Sequence, residues 1–183
     1  SLGGASPLAA TVAPPSAGTP VRAPATPPAD LVPLFETAAR RYQVPVNVLM
    51  AMAEQESGYN AGAVGPQTKW GTAKGMMQYL DSTAVGLGID PLDPSQAIDA
   101  AARQIRERLD KGYSMPDAVK EHFAGPDRKL WGAKTARYGV EVMEKAGKLG
   151  QGYQPQIAGK RGGDAFTAAA NAAGLVEKGN IDL

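Results

Sequence analysis

The sequence predicts a mostly α-helical domain held between two flexible arms, and three observations lead there. In the middle of the chain apolar residues recur every three or four positions, the spacing of one helix face. Clear strand alternation is absent. Both ends are crowded with Pro, Ala, Ser, Thr, Gly and Gln, so much of the content of 22 Gly and 15 Pro falls outside the core.

Residues 1–29 are almost entirely Ala, Pro, Ser, Thr and Gly, with Arg22 as the only charge. Such a segment cannot bury enough apolar surface to offset the entropy of ordering it, and it reads as an extended linker. The compact domain is expected over residues 30–148. Leu34, Phe35, Ala38, Ala39 and Tyr42 share one helix face, and Pro45 opens a second helix carrying Val48, Leu49, Met52 and Ala53. Residues 62–75, rich in glycine and containing Trp70, form the one long irregular stretch, and loops of that length are often functional. Asp93, Pro94 and Gln96 resemble a capping box, followed at helical intervals by Ile98, Ala101, Ile105 and Leu109 and closed by Gly112. Ser114 with Asp117 starts another helix, ended by Gly125 and Pro126; a further helix holds Leu130 beside Trp131, and a last one passes through Tyr138, Val142 and Lys145. Residues 149–183 form the second arm, in which Ala165 to Val176 have the composition of a weak helix.

Charge and residue type exclude several kinds of chemistry. With 19 basic and 18 acidic residues the net charge is +1, so no overall field draws the protein to nucleic acid or an anionic membrane. Cysteine is absent and His122 is the lone histidine, which leaves too few ligands for an ordinary zinc site; no metal or other cofactor is expected. No apolar run approaches the roughly 20 residues of a membrane span, and the N-terminus lacks the basic flank and apolar stretch of an export signal. Because the chain starts at Ser1, it is expected to be a processed product or part of a larger polypeptide or assembly.

One carboxylate stands out. Extending the stripe Leu49, Met52, Ala53 by three or four residues reaches Glu56, on the buried face at the C-terminal end of its helix, while Glu54 points the other way. Desolvation and the negative end of the helix dipole both disfavour the charged form, and a carboxyl kept protonated near neutral pH can serve as a general acid. A Glu that only caps the last turn or pairs with an arginine would occupy the same position.

The surroundings of Glu56 carry a family resemblance. Glu56-Ser57-Gly58-Tyr59-Asn60, Gly75-Met76-Met77-Gln78, Phe123-Ala124-Gly125-Pro126 and Tyr138-Gly139-Val140 follow one another in an order similar to the soluble-type lytic transglycosylases. In that family a Glu-Ser pair ends a buried helix, a Gly-Leu-Met-Gln segment follows, and an Ala-Tyr-Asn-Ala-Gly turn and a late Tyr-Val come after. The resemblance covers about Leu34 to Lys145. It implies a lysozyme-like helical fold and, as substrate, the glycan strands of peptidoglycan, cut between N-acetylmuramic acid and N-acetylglucosamine. Glu56 would first protonate the leaving oxygen and then accept the proton of the C6 hydroxyl, leaving a 1,6-anhydro end; the sugar's 2-acetamido group stabilises the positive centre in between, so one protein carboxylate suffices where most glycosidases need two.

For substrate binding the resemblance points to Ser57, Gln78, His122 and Tyr138, and Trp70 is added because an indole offers a stacking face to the apolar side of a sugar ring. Each has a plainer use as well: a helix cap for Ser57, a backbone contact for Gln78, core packing for His122 and Tyr138. The chain also departs from the family. His122 and Phe123 stand at the Tyr-Asn pair, Gly65 stands at the serine of a Ser-Pro-Ala-Gly-Ala turn, a few extra residues lie around Pro66 to Trp70, and Leu80 replaces a methionine. With Gly65 at that serine, Thr68 or Thr72 is the candidate to supply a hydroxyl. An imidazole beside Glu56 would titrate near its usual value of about 6.5 and limit activity on the acid side.

Two other functions fit the same residues. A goose-type lysozyme shares the fold and the leading Glu but yields reducing ends by water attack, and the lack of an obvious second carboxylate speaks against it. An inactive glycan-binding or structural virion module is the reading that the His122 and Gly65 departures favour. The long Pro and Ala linker fits a wall-degrading module embedded in a larger protein, with a phage virion protein preferred over a bacterial secretion component, acting on the cell wall in the periplasm.

Overall fold

The computed structural model describes residues 25–152, which are mostly helical: α1 (Val32–Tyr42), α2 (Val46–Ser57), α3 (Asp81–Leu87), α4 (Pro94–Asp110), α5 (Met115–Ala124) and α6 (Ala133–Gly152). A small antiparallel hairpin, β1 (Ala73–Lys74) and β2 (Tyr79–Leu80), lies between α2 and α3. The mostly α-helical fold class expected from the periodicity is the one observed. Residues Ala165 to Val176 lie outside the described residues.

α2 is the centre of the domain. Every residue from Val46 to Ala53 is buried, including Asn47, so this helix is apolar nearly all round and packs against α1, α4 and α6. α1 also rests on α4, and α5 bridges α4 and α6. The start signals act as their chemistry predicts. Asp93 accepts from the backbone N–H of Ser95 (2.8 Å) and Gln96 (3.1 Å) while the Gln96 amide returns a bond to Asp93, and Ser114 accepts from Asp117 N–H.

Both edges of the packed region lie further out than composition indicates. α6 runs past Lys148 because Leu149 extends the buried stripe of Tyr138, Val142 and Ala146. There Asn47 Nδ2 donates to the Ala146 carbonyl at 2.8 Å, and a side chain at Gly150 would begin 3.1 Å from the same amide. At the other end Pro27 is buried and the Ala25 carbonyl accepts from the Tyr59 hydroxyl at 3.0 Å, so the docked chain begins before Asp30.

Two elements leave little trace in the sequence. The strands have only two residues each, too few for alternation, and in α3 only Ala84 is buried, so no apolar stripe marks it. The hairpin register is Ala73↔Leu80 and Lys74↔Tyr79, and a bridge from Val64 to Lys74 ties the preceding loop to it. Gly75 lets this hairpin meet the loop before α4: its φ is +78°, and a Cβ would fall 1.6 Å from the Pro91 carbonyl oxygen. Leu130 and Trp131 are not in an α-helix. Arg128–Leu130 form one 3-10 turn, Trp131 follows it with its indole N–H on the Gly125 carbonyl, and the Arg128 guanidinium stacks on the rings of Tyr113 and Trp131.

Candidate active site

Glu56 sits in the last turn of α2 and is 5% exposed. Gly58, in the left-handed region, ends the helix immediately after it, and its N–H closes back onto the helix carbonyls. The short spacing between the apolar stripe and this cap is what places a carboxyl at the bottom of the fold rather than on its surface. From α6, Tyr138 donates its hydroxyl hydrogen to Glu56 Oε1 at 2.5 Å. Burial pushes the Glu56 carboxyl up to about 8, and the Tyr138 bond pulls it back only in part. The tyrosine itself is held well above its usual range by burial and by the neighbouring carboxyl. Near neutral pH the pair is therefore a carboxylic acid with one oxygen engaged as acceptor and the other left to carry the proton.

His122 lies on α5 with Nε2 3.8 Å from Glu56 Oε1, too far for a hydrogen bond, while the same nitrogen is 3.0 Å from the Met77 carbonyl oxygen. With a carbonyl as partner, Nε2 carries the hydrogen. Burial, joined by the positive charge of Arg108, pushes the imidazole down to about 4, so it is neutral beside Glu56 and does not titrate near 6.5. Its ring meets Tyr79 edge-on at 5.2 Å. Phe123, at the next position, stacks on the Tyr138 ring at 4.6 Å with 17° between the planes.

The remaining motif residues hold the hairpin against this floor. Ser57 Oγ donates to the Met76 carbonyl at 2.9 Å and accepts from Asn60 N–H at 3.1 Å, which ties the end of α2 to the hairpin. Gln78 is buried with φ at +49°, and its amide nitrogen donates to the Gly75 carbonyl at 2.8 Å. Its Oε1 faces Gly65, where a Cβ would come within 3.2 Å. That close fit gives a packing reason for glycine at the family's serine position. Thr68 and Thr72 spend their hydroxyls within the loop, on the Gly71 carbonyl and on Gln67.

A match to the transglycosylase SLT domain model extends over residues 33–138, from α1 through to Tyr138. The chain belongs to the SLT transglycosylase family. Among known proteins the SLT domain is similar to a protein named transglycosylase from Enterobacteria phage PRD1, 32% identical over 114 residues, which are 61% of this chain and 41% of the phage protein. It is also similar to membrane-bound lytic murein transglycosylase F 2 of Alkalilimnicola ehrlichii, 35% identical over 95 residues covering 51% of this chain and 19% of the relative. Lytic murein transglycosylase F 1 of the same organism is 32% identical over 124 residues, 66% of this chain and 23% of the relative. The chain thus spans less than half the length of these relatives.

Within the SLT domain, Glu56, Ser57, Gln78, His122 and Tyr138 come together where α2, the hairpin, α5 and α6 converge. Trp70 does not join them; it is 39% exposed on the loop before β1. Two site residues escape sequence reasoning. Tyr79 is buried and donates its hydroxyl to Gln104 Oε1 at 2.8 Å, and Arg108 is buried with Nε 3.0 Å from Glu121 and a further bond to the Ala118 carbonyl. The signal for Arg108 was present, because it lies three residues beyond Ile105 on the α4 stripe, but a charge there reads as surface until its partners on α5 are known. No helix among the described residues is long and apolar enough to cross a membrane.

Proposed function

We propose that this SLT domain is a peptidoglycan lytic transglycosylase in which Glu56 acts first as acid and then as base. The observation that carries the proposal is the buried Glu56 carboxyl, neutral near pH 7 and fixed through Oε1 by Tyr138. Its free oxygen delivers a proton to the bridging oxygen between N-acetylmuramic acid and N-acetylglucosamine as the bond from that oxygen to the anomeric carbon breaks. The Glu56 carboxylate, stabilised by the Tyr138 hydrogen bond, then accepts the proton of the muramic C6 hydroxyl while that oxygen bonds to the anomeric carbon. No water is consumed, and Glu56 ends protonated as it began. In this reading His122, Ser57 and Gln78 shape the floor of the site, and Trp70 offers its indole to the apolar face of a pyranose.

The relatives' names support the substrate, murein glycan, and the phage protein among them supports the setting, a wall-opening module within a virion. Mass spectrometry of digested sacculi tests the reaction. Muropeptides ending in 1,6-anhydromuramic acid are expected, whereas reducing ends alone would assign the chain to the goose-type hydrolases, and no release by folded protein would assign it to glycan binding.

A further inference from the structure

The stretch where the chain departs from its family by extra residues, around Pro66 to Trp70, folds as a small fixed turn. Thr68 and Gly71 exchange backbone hydrogen bonds of 3.0 Å in both directions. The Thr68 hydroxyl donates to the Gly71 carbonyl and accepts from Trp70 N–H, and Thr72 bonds Gln67 across the base of the turn. Below it, Gly65 N–H donates to the Ala73 carbonyl and Gly75 N–H to the Ala63 carbonyl, so the turn continues the hairpin that carries Met77 and Gln78. What this framework displays is a pair of side chains, Lys69 and Trp70.

Trp70 is 39% exposed, so part of its indole reaches solvent at the head of this turn. The Lys69 ammonium lies 4.7 Å from the centre of the Trp70 ring, and among the described residues Lys69 forms no ion pair. The indole thus has a positive charge close to its ring while part of its surface remains in solvent. A flat apolar face joined to a free cation matches a pyranose that bears an anionic substituent. In peptidoglycan, the substrate proposed above, that group is the carboxylate-bearing peptide attached to the lactyl ether of muramic acid.

We infer that the Lys69–Trp70 turn is a binding subsite for peptide-substituted glycan, with Trp70 stacking on a sugar ring and Lys69 pairing with a carboxylate of its stem peptide. This rests on the proposed peptidoglycan function and adds to it a preference: strands that keep their stem peptides are cut faster than strands from which the peptides have been removed. Lysine and tryptophan have separate tasks, so their substitutions have separate signatures.

The experiment compares kcat/KM of the full chain on intact glycan strands and on amidase-stripped, peptide-free strands. Lys69→Gln is expected to lower the rate on peptide-bearing strands about threefold, the scale of one exposed ion pair, and so bring the ratio of the two substrates toward unity. Trp70→Ala is expected to raise KM about tenfold on both substrates with kcat kept, as loss of a stacking contact does. Lys111→Gln, at the C-cap of α4, is the charge control and should change neither. Equal losses on both substrates for Lys69→Gln would mean that the lysine only supports the indole, and unchanged kinetics in both variants would remove the subsite altogether. Wild-type protein inactive on both strands would count against the proposed function, not the subsite. The subsite is then read by co-sedimentation of Glu56→Gln protein with intact and stripped sacculi, and the same affinity for both would overturn it.

Discussion

The Tyr138 hydroxyl and the Glu56 carboxyl are 82 residues apart in the chain and 2.5 Å apart in the fold, with the tyrosine donating. A donor on Oε1 does two things for an acid that must also become a base. It fixes which oxygen is free to protonate the leaving group, and it stabilises the carboxylate in the interval before the proton returns. Phe123, stacked on the Tyr138 ring, limits the directions in which that hydroxyl can point.

Removing the donor without changing the ring separates these effects. Tyr138→Phe is expected to lower kcat about 10- to 100-fold, the range of a hydrogen bond to a charged group. Because the Tyr138 bond lowers the proton affinity of Glu56, its loss should also move the alkaline limb of the pH profile upward. Initial rates on purified sacculi between pH 5 and about 10 would show both; an unchanged limb would mean that the contact does not tune the acid.

Glu56→Gln should abolish turnover by about 10⁴-fold, the upper range for one general acid, since the same group serves both proton transfers. Glu54→Gln should remain active, because Glu54 is engaged in an ion pair with Lys145. Stability offers an independent check. Burial raises folded Glu56 to about 8 from the 4.5 of a free carboxyl, so the folded state holds the extra proton between these values and the wild-type protein loses stability as pH rises through that window. Glu56→Gln should flatten this loss, on the order of 5 kcal/mol in full. Urea melts of both proteins across pH 4.5–8.5 measure it, and parallel curves would mean that the carboxyl is not held neutral.

For His122 the sign is opposite. Its folded value is depressed to about 4 from 6.5, so the unfolded chain takes up the proton first and the stability linked to this group is lost as pH falls from about 6.5 through 4. Activity should therefore persist at pH 5 and show no acid limb near 6.5. His122→Ala should lose activity over the whole pH range, because the hydrogen bond that holds the Met77 carbonyl is gone. NMR titration of the single imidazole gives the value directly, and a midpoint near 6.5 would place the ring in solvent.

Truncation at the N-terminus should depend on a few residues. A chain beginning at Ala25 keeps the Tyr59 hydrogen bond and buried Pro27, and one beginning at Asp30 loses both. Loss of about 1–2 kcal/mol is expected for the shorter form, a fall of several degrees in melting temperature. Tyr59→Phe in the longer form should reproduce part of it. Equal melting temperatures would mean that Ala25 to Ala29 contribute nothing to the packed domain.

Local chemistry was legible because it acts over a few residues. The α2 stripe and its Gly58 stop marked Glu56 as a buried carboxyl at a helix end, and Asp93, Gln96 and Ser114 announced their helices through bonds to N–H groups two or three positions away. Composition misjudged both edges, since Pro27 and Leu149 are buried by neighbours that composition does not name. Which groups surround Glu56 was a tertiary matter. Tyr138 from α6, His122 from α5 and the Met77 carbonyl from a hairpin of two-residue strands meet only because the helices pack at particular angles around α2, and the same packing removes the water that would otherwise keep Glu56 ionised and His122 near 6.5. Helical period and caps are written in neighbouring residues, whereas desolvation and long-range hydrogen bonds depend on where distant segments come to rest.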